Sequence, residues 1–197
     1  MSTLDIDVYA TRTAAGDADE QFIQRWSPRA FSGEPLPIAD LHILVEAARW
    51  APSCFNSQPW RFVYAINGDD QWSAMLDVLM DMNQVWAGNA GALIAIVAKK
   101  TFDDGNPAPT ASFDAGGAWM SMALQAQKMG LASHAMWGFH HDQAPAALGL
   151  PEDHAVQAMV AVGKPGERAD LPEKYQEREV PSPRKPIEEL LFHGKLG

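Results

Sequence analysis

Apolar residues recur along this chain in two rhythms, and their alternation sets out most of its elements. Leu41, Leu44, Val45 and Ala48 stand at helical spacing, which predicts a helix opened by Pro37, with Asp40 near its positive end. Residues 62–66 read as a strand, and Asn67-Gly68-Asp69-Asp70 as the turn that closes it. The stripe Trp72, Met75, Leu76 and Leu79 predicts a helix over 71–82, with Asn83-Gln84-Val85-Trp86 following it. Residues 92–98 are continuously apolar and predict a buried strand, after which 101–113 read as a loop. The longest predicted helix covers 114–129 and is ended by Gly130. Gly116, Gly117, Ala118, Ser121, Ala123 and Ala126 make it small-sided, suited to close packing in a domain centre or at a symmetric interface. Residues 131–139 return as a strand and loop, Asp142 is placed to cap a short helix, and 155–163 form a last strand.

The ends are different in character. Residues 1–20 are polar and read as an N-terminal arm, with a short helix at 19–24 leading to a bend at Pro28. Residues 164–186 are charged and proline-rich, which predicts a linker or extended arm, and 187–192 a short amphipathic helix. With no internal repeat and no second core, the pattern describes one α+β domain over 21–165. A C-terminal extension at 166–197 completes it.

Composition narrows the functions. The chain has 197 residues, 47% of them hydrophobic, enough for one core. A net charge of −10 and a pI near 4.9 exclude a nucleic-acid surface, because phosphate contacts need clustered cations. A single cysteine rules out an internal disulfide and fits a reducing cytoplasm. The first ten residues lack a signal-peptide core, and the longest apolar run, 91–98, is too short to span a bilayer. Seven tryptophans and nine methionines suit a flat aromatic ligand or an extensive subunit interface as well as a core.

Several common sites are absent. No glycine-rich nucleotide fingerprint and no Gly-x-Ser-x-Gly elbow occurs. His134, His140, His141 and His154 lack zinc-ligand spacing, so no metal is expected, and Cys54 has no adjacent base. What remains is scattered. Arg25, Ser27 and Arg29 surround the Pro28 bend, where guanidinium forks and a hydroxyl suit an anion. Residues 51–62 form a stiff loop, two prolines enclosing Ser53, Cys54, Asn56, Ser57 and Gln58 beside aromatic residues. Asn83-Gln84, Met136-Trp137-Gly138 and Arg184-Lys185 complete the set.

Three of these stretches resemble the nitroreductase family of flavoproteins: Arg-Trp-Ser-Pro-Arg-Ala-Phe at 25–31, Ala-Pro-Ser-Cys-Phe-Asn-Ser-Gln-Pro-Trp-Arg-Phe at 51–62, and Arg-Lys-Pro-Ile-Glu-Glu at 184–189. The resemblance runs from about Phe22 to Leu191, and the middle stretch is its most specific part. It implies a three-layer α+β sandwich whose central, mainly antiparallel sheet is flanked by helices. It also implies a homodimer with C-terminal arms reaching onto the partner, and FMN at the interface. By the same resemblance Arg25 and Arg184 would hold the phosphate, with Lys185 a further candidate. Ser27 would bond phosphate or ribityl chain, and Arg29 would face the pyrimidine edge. Pro52, Ser53, Cys54 and Asn56 would come from the partner subunit, and Asn83 or Gln84 would read the O2/N3 edge. The Trp137-Gly138 backbone would lie near flavin N5, and Trp26, Gln58 and Met136 join the cofactor-binding set. The implied activity passes hydride from NAD(P)H through the flavin to nitroaromatic, quinone or activated-alkene acceptors by a ping-pong mechanism, with no side chain as general base. The alternatives are another flavin reaction, such as reductive dehalogenation or azoline oxidation, and a non-redox dimeric binding protein.

Overall fold

A strand apolar on both sides must be covered on both faces and both edges, and the apolar run expected at 92–98 is met in this way. A computed structural model describes residues 6–196, in which that run is β2 (Ala92–Lys99). β1 (Trp60–Ile66) pairs with it on one edge and β4 (His154–Gly163) on the other, and β3 (Ala132–Met136) follows beyond β4. The order is β1-β2-β4-β3, and every pair is antiparallel. Seven consecutive residues of β2, from Ala92 to Ala98, are 0–1% exposed.

The period of two divides β2 between two cores. Leu93, Ala95 and Val97 pack with Met75 and Val78 from α3 (Trp72–Asp77) and its end, and with Trp86 from α4 (Asp81–Ala87). Ala92, Ile94, Ile96 and Ala98 face Leu41, Leu44 and Ala48 of α2 (Ile38–Arg49), and Ala115, Ala118 and Met122 of α5 (Ala111–Lys128). The result is the three-layer α+β sandwich. The small side chains of α5 let it lie close to α2 and the sheet. Its end is fixed by Gly130 at φ +71°, with Leu131 N–H donating to the Ala126 carbonyl and Gly130 N–H to that of Gln127, both at 2.9 Å.

Four expectations need correction. The helix at 71–82 is two helices, α3 and α4. Leu79 leaves the helix to bridge with Phe139, and Met80 N–H donates to the Gly138 carbonyl at 3.1 Å. Tertiary pairing overrides the continuing apolar stripe, and Asn83 and Gln84 lie on α4 instead of after a helix. The proline-rich 164–186 segment is not a free linker. It carries α7 (Glu173–Gln176), buries Leu171 and Tyr175 in the core, and Tyr175 Oη donates to the Met82 carbonyl. Here α6 is Ala144–Ala147, whose N-cap is Gln143 without a side-chain bond, so Asp142 does not cap it. The expected helix at 187–192 is one 3-10 turn, Ile187–Glu189.

At the chain's start, α1 (Glu20–Gln24) is capped by Asp19, whose carboxylate accepts from Gln21 N–H at 3.0 Å. Residues 1–5 of the expected arm, and Gly197 of the C-terminal extension, lie outside the described residues.

Where β4 ends against the loop before β2, a Cβ on Gly163 would stand 2.6 Å from Gly91 N and 3.2 Å from Gly91 Cα. Both neighbours are backbone, so nothing soft can yield. Gly163→Ala should lower unfolding free energy by about 1–3 kcal/mol in urea titration. Gly16→Ala, with nothing within 4 Å of the added carbon, is the control that should not.

Candidate functional site

The Pro28 bend follows α1 directly, proline at 28 disfavours a helical Ser27, and Arg25, Trp26, Ser27 and Arg29 all line one cavity. Against them lie His134 of β3 and the C-terminal segment with Glu177, Arg178, Ser182 and Arg184. Together with Arg12 and Trp26 they line a cavity of about 550 Å³. Five arginines and one glutamate line it. Arg25 Nη1 donates to Ser27 Oγ at 3.3 Å, while its buried Nε has no partner among the described residues. Burial and the nearby Arg184 guanidinium hold Arg25 below the usual arginine range, and burial, Arg184 and Arg25 do the same to Arg12. A buried donor on a cation without a carboxylate is the signature of an anion site.

The other carboxylate nearby is committed elsewhere. Glu179 is fully buried and accepts from Arg29 N–H at 2.8 and 3.0 Å and from Ala30 N–H at 2.9 Å. It fixes the backbone of the bend through main-chain donors, and desolvation raises its own pKa against the opposing effect of those N–H groups and of the Arg29 and Arg168 charges. Arg29 lies over the Trp86 ring at 5.9 Å, and that ring meets His134 at 4.7 Å. His134 Nδ1 lies 3.0 Å from the Pro28 carbonyl. Desolvation first, and then the Arg29 charge, lower its pKa to about 4.

α4 connects this cavity to a second group. Asn83 and Trp86 stand three residues apart, on one side of the helix. Asn83 Nδ2 donates to the Gly138 carbonyl at 2.9 Å, and a Cβ on Gly138 would lie 2.5 Å from that nitrogen, so a larger residue there would displace the Asn83 side chain. The neighbouring Gln84 Nε2 donates to the Leu79 carbonyl at 2.7 Å. Trp137 is 69% exposed and leans on His141 at 4.4 Å, while His141 Nε2 lies 3.1 Å from the Trp137 carbonyl.

The loop at 51–58 stands apart from both. It folds on itself: Ser53 Oγ accepts from Gln58 N–H at 3.0 Å, and Gln58 Nε2 donates to the Asn56 carbonyl at 3.1 Å. Cys54 N–H donates to the buried Asp114 carboxylate at 3.2 Å, which ties the loop to the first turn of α5. Phe55, Asn56 and Gln58 take φ of 52°, 55° and 46°, and Phe55 is 91% exposed. Asn56 and Gln58 line a different cavity, with Phe102 and Asp103.

Of the sequence-derived candidates, the structure therefore gathers Arg25, Trp26, Ser27, Arg29 and Arg184 in one cavity. It joins Asn83, Trp137 and Gly138 in an adjoining group. Pro52, Ser53, Cys54, Asn56 and Gln58 are elsewhere in this chain. The side chain of Met136 is core, and Lys185 is exposed and 3.4 Å from Glu189, outside the cavity lining. Sequence reasoning missed Arg12, His134 and Glu179. Arg12 sits in a polar stretch with no periodicity and Glu179 in a proline-rich one, and only tertiary folding buries them.

Among known proteins, the model described as the nitroreductase family matches residues 23–85 and 66–164. A solved oxidoreductase containing FMN is 40% identical, with a TM-score of 0.91 over 94% of this chain and 96% of that one. A putative nitroreductase in complex with FMN from Desulfovibrio desulfuricans shares the fold at 23% identity, with a TM-score of 0.72 over 92% of this chain and 99% of that one. An NADH dehydrogenase of Thermus thermophilus is 29% identical over 205 residues, 89% of this chain and 95% of the relative.

The His134 ring makes a pH prediction. Its folded pKa of about 4 lies below the ordinary 6.5. The unfolded chain therefore binds the extra proton first as pH falls. The stability from the neutral ring is fully present above pH 6.5 and is lost as pH falls through 4. The linked change is on the order of 3 kcal/mol. Urea unfolding between pH 4 and 7 should show this slope, and His134→Gln should flatten it.

Proposed function

The chain belongs to the nitroreductase family, and from that premise we propose that it is an FMN-dependent oxidoreductase. It takes hydride from NAD(P)H and passes it to nitroaromatic, quinone or activated-alkene acceptors. The observation that carries this reading is the arginine-lined cavity with the unpartnered, buried Nε of Arg25. A phosphate dianion fits that donor set, because its oxygens accept several guanidinium bonds at once and offset the mutual repulsion of the cations.

Arg25 and Arg184 would hold the phosphate, with the Ser27 hydroxyl beside them. Arg29, steadied over Trp86, supplies positive charge for the pyrimidine edge. Asn83 fixes the Gly138 carbonyl and so the Gly138–Phe139 peptide that adjoins the Trp137–Gly138 backbone, and Trp137 walls the substrate side. When bound, FMN would supply the centre that NAD(P)H and the acceptor use in turn, which makes the kinetics ping-pong. The protein's own groups bind and orient, and none need act as a general base.

The reading includes a homodimer. Phe55 and Phe113 are 91% and 84% exposed, and Phe113 stands beside Gly116 and Gly117 on the outer face of α5. Large apolar side chains around a small-residue face suit a close, symmetric contact. Such a contact would bring the 51–58 loop of one copy to the arginine cavity of the other. It accounts for the separation of the two parts within one chain.

Purified protein should show a flavin spectrum that bleaches on anaerobic addition of NADH or NADPH. A protein that stays colourless after incubation with excess FMN overturns the reading. Arg25→Ala should weaken FMN binding roughly tenfold to a hundredfold, the worth of a lost charge-assisted bond. Phe113→Asp should shift the dimer to monomer in sedimentation and lower FMN retention. An unchanged sedimentation coefficient places the interface elsewhere.

A further inference from the structure

Arg12 is 8% exposed, and its hydrogen-bond partners are backbone carbonyls. Its Nη1 donates to the carbonyls of Ile23 and Arg25, and its Nε donates to that of Ser182 at 2.9 Å. The residue before it does the same kind of work: Thr11 Oγ1 donates to the Pro181 carbonyl at 2.7 Å. Two consecutive side chains thus grip two consecutive carbonyls of the C-terminal segment. The same guanidinium also grips the last turn of α1 and the start of the Pro28 bend. We propose that Thr11 and Arg12 form a clasp that positions Arg184 beside Arg25 for the cofactor phosphate, with Arg12 as the positioning residue. The inference rests on the FMN reading and adds to it a residue from the N-terminal arm.

The physical case is one of charge and reach. Arg25 and Arg184 line the same cavity and repel, the Arg184 charge adding to burial in lowering the Arg25 pKa, so an anion site built from them needs a restraint that holds them together before the anion arrives. Pro181 and Pro183 flank Ser182 and lack N–H groups, so that stretch cannot be tied down by pairing as a strand, and its carbonyls are its handles. Arg184 Nη1 donates back to the carbonyls of Ser182 and Pro183, at 3.1 and 3.0 Å. The carbonyl of Ser182 therefore accepts from both arginines, and fixing it sets where Arg184 begins. Guanidinium suits the task because its rigid planar fork holds three acceptors in a fixed geometry, which an ammonium with rotatable donors on a flexible stem does not. Because those acceptors are neutral, Arg12 brings its whole charge to the cavity it lines.

The test uses the full chain and compares FMN with riboflavin, which has the ring but not the phosphate. Arg12→Gln should weaken FMN binding roughly tenfold or more while leaving riboflavin binding unchanged. Arg12→Lys should recover only part of the loss. Thr11→Val keeps every charge and should weaken FMN in the same sense by a smaller factor. In both Arg12→Gln and Thr11→Val, trypsin should cut faster after Arg178 and Arg184. Equal losses for FMN and riboflavin would mean that Arg12 only supports the fold, and unchanged FMN affinity in Arg12→Gln would dismiss it; either overturns the proposal. So does a Thr11→Val variant that binds FMN and resists trypsin as the wild type does, since charge alone would then explain Arg12. A wild type that binds neither flavin overturns the functional reading and the phosphate role with it, and the cleavage rates still report on the clasp.

Discussion

Cations gathered near one another must be stabilised by something, and in this protein, for the buried Arg12 and the exposed Arg184 alike, it is the backbone. Arg12 and Arg184 spend their donors on peptide carbonyls, Arg25 leaves one donor unspent, and the one fully buried carboxylate nearby, Glu179, is turned to main-chain N–H groups. Carbonyl dipoles lower the energy of a guanidinium without cancelling its charge, so the cavity keeps its field. Had Glu179 paired with one of these arginine side chains, part of that field would have been cancelled in an internal ion pair.

That field has to be aimed, and the sandwich does the aiming. β2 is satisfied on all sides by its neighbours and behaves as a fixed rail. β3 ends with Met136 in the core, so the chain emerges at Trp137 at a defined height. α4 is trapped between β3's continuation and the C-terminal segment, through Asn83 to Gly138 and through Tyr175 to Met82. The break between α3 and α4 is what makes this possible, because Leu79 leaves the helix to bridge with Phe139.

Much of this was readable in advance, and the failures are informative. β2, the Gly130 helix end and the α2 stripe were plain because local pattern and tertiary fate agree there. The helix at 71–82 was misread because its apolar spacing continues through a break caused by residues 60 positions away. The 164–186 segment was misread because proline and charge signal solvent exposure on average, and only contact with α4 buries Tyr175. The short motifs carried the arginines at 25, 29 and 184, since anion chemistry prescribes its own residue types. Arg12 and Glu179 were invisible, for their partners are main-chain atoms, which leave no trace in a sequence.

Three neighbouring non-glycine residues, Phe55, Asn56 and Gln58, sit in left-handed backbone, at a cost of about 1–3 kcal/mol each. Their shape is imposed by the loop's own bonds and by its tether to Asp114, before any other surface is met. A loop held this way surrenders little entropy on contact, so its encounter with a complementary surface is governed by collision and orientation, with little waiting for a rare conformer. Rigidity of this kind favours speed in any encounter the loop makes.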